Sequence, residues 1–374
     1  MRKNATQQAM KERNKALLLH LLYDQGPISR VELARLTGLS PSTVSMLIEE
    51  SIGDGFVHEI GTVGGKVGRK MKMLDIRPDC AYSIGFDLSN MATRCVLLDV
   101  RGHIVASDRL ERLAGEEELK AHLPQLIEQF VSRQRVERDS IRWMGISLPG
   151  IIDEENGIVR QSNYLGLKQF PLAELASQSA GFPVRLINDL DAQGFAERFS
   201  GSAKGMRTIV YMLFDFGVGA GLLINNQIYR GANGQAGSMG PYASYSTGRL
   251  AEELKGKHPD LFGGCSDEDA VRKLVELGLK GEAPFGPMLE RLTEDIAKYC
   301  ATALQLINPE QLILNGWLTR CEPYLERLTQ RIHHYEASPS GPTPVRASYW
   351  NEFGGAVGAA SIGLDSFFGY HQIT

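Results

Sequence analysis

The chain has little of what would tie it to a membrane, an export route or a metal. Among its 374 residues are 5 cysteines, Cys80, Cys95, Cys265, Cys300 and Cys321, an odd number standing far apart. No pair has the short spacing of a metal knuckle, so a disulfide scaffold is excluded and free thiols in a reducing cytoplasm are expected. No run of residues approaches the roughly 18–20 apolar positions needed to span a bilayer. The opening residues, Met1-Arg2-Lys3-Asn4-Ala5-Thr6-Gln7-Gln8, are polar with no apolar core behind them, unlike a cleaved export signal. Low-complexity tracts are absent as well. With 43 % hydrophobic and 22 % charged residues, the composition is that of a folded protein, not a disordered one. A cytoplasmic location with no membrane partner is the expectation.

The length is that of about two or three domains. The net charge of −4 is unevenly spread: residues 1–77 hold 12 Lys and Arg against 8 Asp and Glu, and the remainder holds 28 against 36. A small basic head on a larger acidic body points to a nucleic-acid module joined to something else, although four charges also fit a solvated face.

The head has local signals in a telling order. Residues 14–23 are apolar on a helical period and stop near Gly26-Pro27. Ser29-Arg30-Val31-Glu32 is a capping box opening a short helix through Leu36, and Gly38 suits the tight turn that follows. Ser40 then serves as N-cap and Pro41 as first residue of a third helix. Val31, Leu33, Ala34, Leu36, Leu39, Val44, Leu47 and Ile48 are the expected small core. The leading turn shows Ser40, Pro41, Ser42, Thr43, Ser45 and Met46, an uncharged hydroxyl-rich surface suited to base edges in a major groove. Residues 55–61 and 71–76 read as a hairpin whose tip carries Lys66, Arg69 and Lys70, cations for phosphates or a minor groove. A winged helix-turn-helix contacting DNA is the reading favoured over a helical protein-interaction domain with a solvated basic loop. Arg77-Pro78-Asp79 closes the head as a hinge.

From Cys80 the period changes. Three short β-rich runs (81–88, 93–100 and 103–107) are followed by a helical stretch over 119–136 and a buried strand over 143–148. A second series starts at Thr208. Hairpins followed by helices, twice over, indicate two α/β lobes around a cleft. Further along, residues 270–277 and 288–307 read as helices, His333-His334 as exposed, and Gly354-Gly355-Ala356 as the small-residue start of the last helix.

Five segments then resemble those of the repressor/open-reading-frame/kinase (ROK) group, in order and over nearly the whole chain. They are Ser147-Leu148-Pro149-Gly150-Ile151-Ile152-Asp153, Asn163-Tyr164-Leu165-Gly166, Leu186-Ile187-Asn188-Asp189-Leu190-Asp191-Ala192, Gly217-Val218-Gly219-Ala220-Gly221 and 228–234. The resemblance implies an α/β fold: an N-terminal winged helix-turn-helix (1–78) followed by a two-lobed actin-like (ribonuclease H-like), sugar-kinase-type body. The first lobe would span 79–190, completed by 352–374, and the second 191–351. It also implies that Asp189 stands where the kinases keep their catalytic base.

This chain departs from the kinase pattern. The Asp-x-Gly-Gly-Thr phosphate turn of the kinases is here Asp87-Leu88-Ser89-Asn90-Met91, and their Gly-Thr-Gly is Asp215-Phe216-Gly217. Without those glycines, backbone N–H groups approach a phosphate less easily, and an added carboxylate repels it. The family's Glu-x-Gly-His is replaced by Ser238-Met239-Gly240-Pro241, and its cysteine knuckle is missing. No metal, no cofactor and no kinase activity are expected. Asn163, Asn188 and Asp189, with Gly150 and Ser238 beside them, are the candidate ligand contacts, polar groups suited to vicinal hydroxyls. For Asn188-Asp189 the plainer alternative is helix capping. The expected function is a DNA-binding regulator, a repressor by preference. Its partners would be a palindromic double-stranded operator, a sugar or sugar-phosphate effector, and itself as dimer or tetramer. A sugar kinase with an added head and a ligand-independent dimeric DNA-binding protein stay open.

Overall fold

The computed structural model of the chain describes residues 2–63, 71–89, 92–215, 217–239, 244–336 and 338–367. It starts with α1 (Arg2–Gln25), β1 (Ile28–Ser29), α2 (Arg30–Thr37), α3 (Pro41–Gly53), β2 (Val57–Val63) and β3 (Met71–Ile76). Local chemistry sets most of these boundaries. Ser29 Oγ accepts the Glu32 N–H at 3.2 Å and starts α2, while Gly38 ends it at φ 69°, a conformation that costs glycine nothing. Ser40 Oγ accepts the Thr43 N–H at 3.2 Å, and Pro41 opens α3. The capping box is only half made, because the Glu32 carboxylate turns to Arg35 instead of the Ser29 backbone.

Three expectations for this region need correction. The first helix begins at Arg2, twelve residues before the apolar stretch that announces it. Val31 and Leu36 are 68 % and 40 % exposed rather than core: Leu33 faces inward, and Val31, two residues earlier on the helix, faces away from it. The short β1 has no signal of its own in the sequence, being two residues long. It pairs antiparallel with β3 (Ile28 opposite Leu74), so the hairpin β2–β3 is sewn to the turn before α2. Leu18, Leu22, Leu33, Val44, Leu47, Ile48, Val57 and Leu74 close the small core. Lys66, Arg69 and Lys70 lie outside the described residues.

The rest of the chain runs β4 (Tyr82–Asp87), β5 (Thr93–Asp99), β6 (Ile104–Leu110), α4 (Glu116–Ser132), β7 (Ile141–Leu148), β8 (Ile151–Asp153), β9 (Ile158–Ser162), β10 (Leu167–Phe170), α5 (Leu172–Ala180), β11 (Val184–Asn188) and α6 (Asp189–Ser200). It continues with β12 (Ile209–Phe214), β13 (Val218–Ile224), β14 (Gln227–Ile228), α7 (Thr247–Lys257), α8 (Pro259–Phe262), α9 (Asp267–Leu279), α10 (Phe285–Ile307), β15 (Gln311–Gly316), α11 (Glu322–Tyr335), β16 (Val345–Ala347) and α12 (Gly354–Phe367). Two five-stranded sheets result, ordered β6-β5-β4-β7-β11 and β14-β13-β12-β15-β16. The order is the same in both: an antiparallel meander, then one strand parallel to its first member and a further strand parallel to that one. β8, β9 and β10 form a separate antiparallel sheet.

Helices α6 and α12 lie side by side between the two large sheets, α12 against β4 and β7, α6 against β12 and β13. Glycine permits this close approach. A Cβ on Gly85 would stand 1.8 Å from the Ala356 carbonyl oxygen, and one on Gly145 2.0 Å from that of Ala359. The α12 backbone therefore rests directly on the sheet. The outer face of the second sheet packs on α7, α9, α10 and α11 through Leu274, Leu289, Ile296, Leu314 and Leu328.

The head meets the body around Arg101, in the turn between β5 and β6. Its guanidinium donates to the Tyr23 carbonyl at 2.7 Å, to that of Leu22 at 3.5 Å, and to the Asp75 carboxylate. A cation thus caps the open carbonyls at the end of α1. His333 is half-buried rather than exposed, its Nε2 2.9 Å from the Thr343 carbonyl oxygen. All five cysteines are free, Cys95 and Cys300 buried and the others half-buried. Among the described residues, no helix is long and apolar enough to cross a membrane.

Candidate functional site

The carboxyl ends of β4, β7, β11, β12 and β15 converge on one crevice, the place where open α/β sheets hold ligands. A cavity of about 550 Å³ lies there, bordered by Asp189 and Gln193 of α6, Arg94 of β5, Asp215 after β12, Asn315 and Gly316 of β15, and Arg320. Its size is that of a small-molecule site.

Two acids stand close together here, Asp189 bordering the cavity and Asp87 behind it. Asp87, the last residue of β4, is fully buried, and its Oδ1 accepts the Ser147 hydroxyl at 3.1 Å and the Ser89 N–H at 3.1 Å. Burial pushes its carboxyl up. Gly355 abuts it so closely that a Cβ there would lie 2.6 Å from the carboxyl carbon. Asp189, the first residue of α6, is pushed up to about 7, first by burial and then by the charge of Asp87. Two carboxyls in one dry corner cannot both ionise cheaply, so a proton is retained near neutral pH.

A second acid group guards the opposite wall. Asp215 accepts the Thr247 hydroxyl at 2.9 Å and pairs with Arg320 Nη2 at 3.2 Å, while Arg320 Nη1 lies 3.3 Å from Glu268. Burial raises the Asp215 carboxyl in spite of that arginine. On the near side Arg94 Nη2 holds Glu352 at 2.8 Å, and Arg109 holds the same carboxylate from outside. Both arginines of the cavity are thus engaged with carboxylates.

Of the five residues expected to contact a ligand, Asp189 alone borders this cavity. Asn188 is the N-cap of α6: its Oδ1 accepts the N–H groups of Leu190 (2.9 Å) and Asp191 (3.3 Å), and its Nδ2 donates to the Gly150 carbonyl at 3.2 Å. The structure therefore gives Asn188 the capping role, tying the turn at Gly150 to the start of α6. Gly150 holds φ 139° with the Gln161 carbonyl against it. Asn163 is exposed, accepting from Gln161 Nε2 at 2.9 Å, and Ser238 is exposed beside Gly219. The neighbour of Asn163 matters more: Tyr164 borders the cavity, and its buried hydroxyl makes no hydrogen bond among the described residues. Tyr164 stands in one of the family-like segments, although its neighbour Asn163 is the expected contact, and nothing in the sequence marks Arg94, Arg320 or Glu352 for this place, since they reach it from three further segments. Among the described residues no three His, Cys, Asp or Glu side chains cluster as metal ligands.

In the head, Pro41, Ser42 and Met46 (55 % exposed) face solvent, and Thr43 and Ser45 are half-buried. Ser40 Oγ lies 2.9 Å from Ser42 Oγ and 2.8 Å from Thr43 Oγ1, so the hydroxyls form one web at the start of α3.

Comparison with known proteins follows the same lines. The chain is 32 % identical to the xylose repressor of Caldicellulosiruptor bescii, across 62 % of this chain and 58 % of that protein, less than two thirds of the relative's length. It is 25 % identical to the DNA-binding transcriptional repressor Mlc of Escherichia coli K12, across 94 % of this chain and 93 % of that one. A crystal structure of a ROK family transcriptional regulator, a homolog of that Mlc protein, shares its fold. The TM-score is 0.79 over 96 % of this chain and 97 % of that one, at 18 % identity. The ROK family model matches residues 83–252 and 263–366, and the chain belongs to that family.

Proposed function

We propose that the protein is a DNA-binding transcriptional repressor of the cytoplasm whose body responds to a sugar or sugar derivative. The observation that carries this is the exposed start of α3: a proline and three hydroxyl side chains with no charge among them, projecting from a three-helix unit with a hairpin beside it. That arrangement is a winged helix-turn-helix, residues 1–78, and α3 is its reading helix. The chain continues as one lobe over 79–190, completed by 352–374, and another over 191–351, with a hinge at Arg77-Pro78. A symmetric dimer presents two reading helices to half-sites about 34–36 Å apart, or multiples of that spacing. Nuclease footprinting with promoter fragments from the protein's own genome tests this. A protected, palindromic site supports it, and the absence of any protected site under all conditions overturns it.

The body carries a cleft of carbohydrate type without a working nucleotide cradle. The first turn after β4 spends its Ser89 N–H on Asp87 rather than offering it to a phosphate. Asp215, Glu268 and Glu352 line the cavity from both sides and oppose the charge of ATP, and both arginines there, Arg320 and Arg94, are already paired. The ligand contacts proposed are Asp189 and Tyr164; Asn188 and Gly150 fix the start of α6, and Asn163 and Ser238 stand exposed outside the cavity. A sugar hydroxyl would satisfy the Tyr164 phenol and the retained proton of Asp189. Ligand favours one closure of the cleft and changes the spacing of the heads, a coupling of about 1–3 kcal/mol.

One observation favours a second reading, a sugar kinase with an added head: a carboxyl near pH 7 is well matched to general-base work. Calorimetric titration with Mg-ATP separates the two. No heat supports the regulator, and binding coupled to sugar phosphorylation supports the kinase.

A further inference from the structure

The end of α1 and the body border a second cavity, of about 540 Å³, opposite in chemical character to the acid pair of Asp87 and Asp189. Cations border it. Arg101 is matched by Asp75, and the one bordering carboxylate, Asp24, lies 3.2 Å from His20 Nε2. The other three, Arg198, Lys204 and Arg207, form no ion pair among the described residues. Arg198 Nε donates only to the amide oxygen of Asn226 at 3.3 Å, and Asn226 N–H donates to the Arg207 carbonyl at 2.7 Å, so these two stand around one turn, and Lys204 borders the same cavity. Tyr23 and Phe199 supply an aromatic wall, with ring centroids 6.2 Å apart.

Three cations without a carboxylate partner border one concavity, Lys204 and Arg207 exposed and Arg198 over the Phe195 ring, and together they make a positive surface that attracts an anion. Arginine and lysine beside each other suit a phosphate, which accepts several hydrogen bonds and carries up to two charges. The aromatic wall and the volume leave room for a body of monosaccharide size attached to it. The negative end of α1, which would repel an anion, is already masked by Arg101.

The geometry points to a binding site for a small phosphate ester between head and body, held by Arg198, Lys204 and Arg207. Its occupant contacts both α1 and the body, and so stiffens their junction. Metabolite binding there adjusts how freely the head moves, separately from any ligand at Asp189.

Thermal unfolding of the full chain with glucose 6-phosphate, inorganic phosphate, glucose or citrate, at matched ionic strength, tests this. Glucose 6-phosphate at saturating concentration raises Tm by about 3 °C or more, and the other three do not. The Lys204→Ala/Arg207→Ala double variant, altered at two exposed side chains, loses most of that shift, while Asp189→Ala keeps it. Amide exchange over residues 19–26 slows about fivefold or more with the ester bound. The proposal is overturned if no shift occurs, if inorganic phosphate or citrate gives an equal one, or if Lys204→Ala/Arg207→Ala responds like wild type. A shift lost in Asp189→Ala but kept in the double variant places the ester in the other cavity and overturns it equally.

Discussion

Arg320 sets its guanidinium 3.2 Å from Asp215 Oδ2, so an ion pair borders the cavity beyond β12. That pair explains why a buried acid is tolerated there. Arg320→Ala leaves Asp215 beside Glu268 with only the more distant Arg94 as a cation, and the variant loses about 1–2 kcal/mol of stability at pH 8. The Asp215 carboxyl is already raised by burial, and losing the arginine raises it further. The sign follows: a raised acid costs stability as pH climbs through its native pKa, and costs nothing once protonated. Urea denaturation near pH 4 should therefore show a much smaller difference between variant and wild type. An equal difference at both pH values would mean that the pair contributes nothing electrostatic.

Asp189→Asn tests the acid pair. The unfolded chain gives up this proton near the ordinary carboxyl value of 3.8, while the native protein keeps it until about 7. Wild-type stability contributed by this group is thus full below about pH 4 and declines until about pH 7. Asparagine carries no charge at any pH and removes the decline. The variant should match wild type near pH 4 and exceed it by on the order of 2 kcal/mol at pH 8. Asp191, also near 7, is unchanged in both proteins and cancels in the comparison. A constant difference from pH 4 to pH 8 would show that Asp189 is ionised throughout.

The parts of this structure legible in the sequence are those decided by neighbours along the chain. Ser29, Gly38, Ser40 and Pro41 announce helix ends because capping and left-handed turns involve residues within about four positions of each other. The start of α1 is silent, since the residues before Asn14 are polar and show no apolar period. The short β1 is silent too, because two residues gain their strand character only from β3. In the cavity the contrast is sharper. Asp189 is legible through its place in a family segment, whereas Arg94 and Glu352 meet across 258 positions of sequence. Only the folding of α12 back onto β4 and β7 makes them neighbours. Asn188 and Asn163 show the reverse: a polar residue in the right segment that the fold spends on backbone, or turns outward.

Arg101→Ala tests the junction of head and body. The guanidinium is half-buried among the Tyr23 carbonyl and the Asp75 carboxylate, and truncation takes the side-chain donor from the carbonyl and the cation from the carboxylate, which keeps only the Ile76 N–H. The expected cost is about 2–4 kcal/mol for an unmatched buried carboxylate and open helix-end carbonyls. Local opening should appear before global unfolding, as faster amide exchange at residues 20–26 and quicker proteolysis near Arg77. Unchanged exchange there, with wild-type stability, would show that the head is held by its apolar contacts alone.

The hydroxyl web at α3 separates two roles by mutation. Ser40 Oγ accepts the Thr43 N–H, so Ser40→Ala removes a helix cap and costs about 1 kcal/mol of stability. DNA affinity should fall across all sequences, because the whole reading turn loosens. Ser42 has no cap to supply; its exposed side chain only neighbours that of Ser40. Ser42→Ala should leave the melting temperature and the salt dependence of binding in place, yet alter discrimination at one base pair by about 1 kcal/mol or more. Competition binding against operators altered one base pair at a time reads the difference. If Ser42→Ala weakens every sequence equally, the hydroxyl meets the backbone, and α3 sits in the groove rotated from the orientation argued for it.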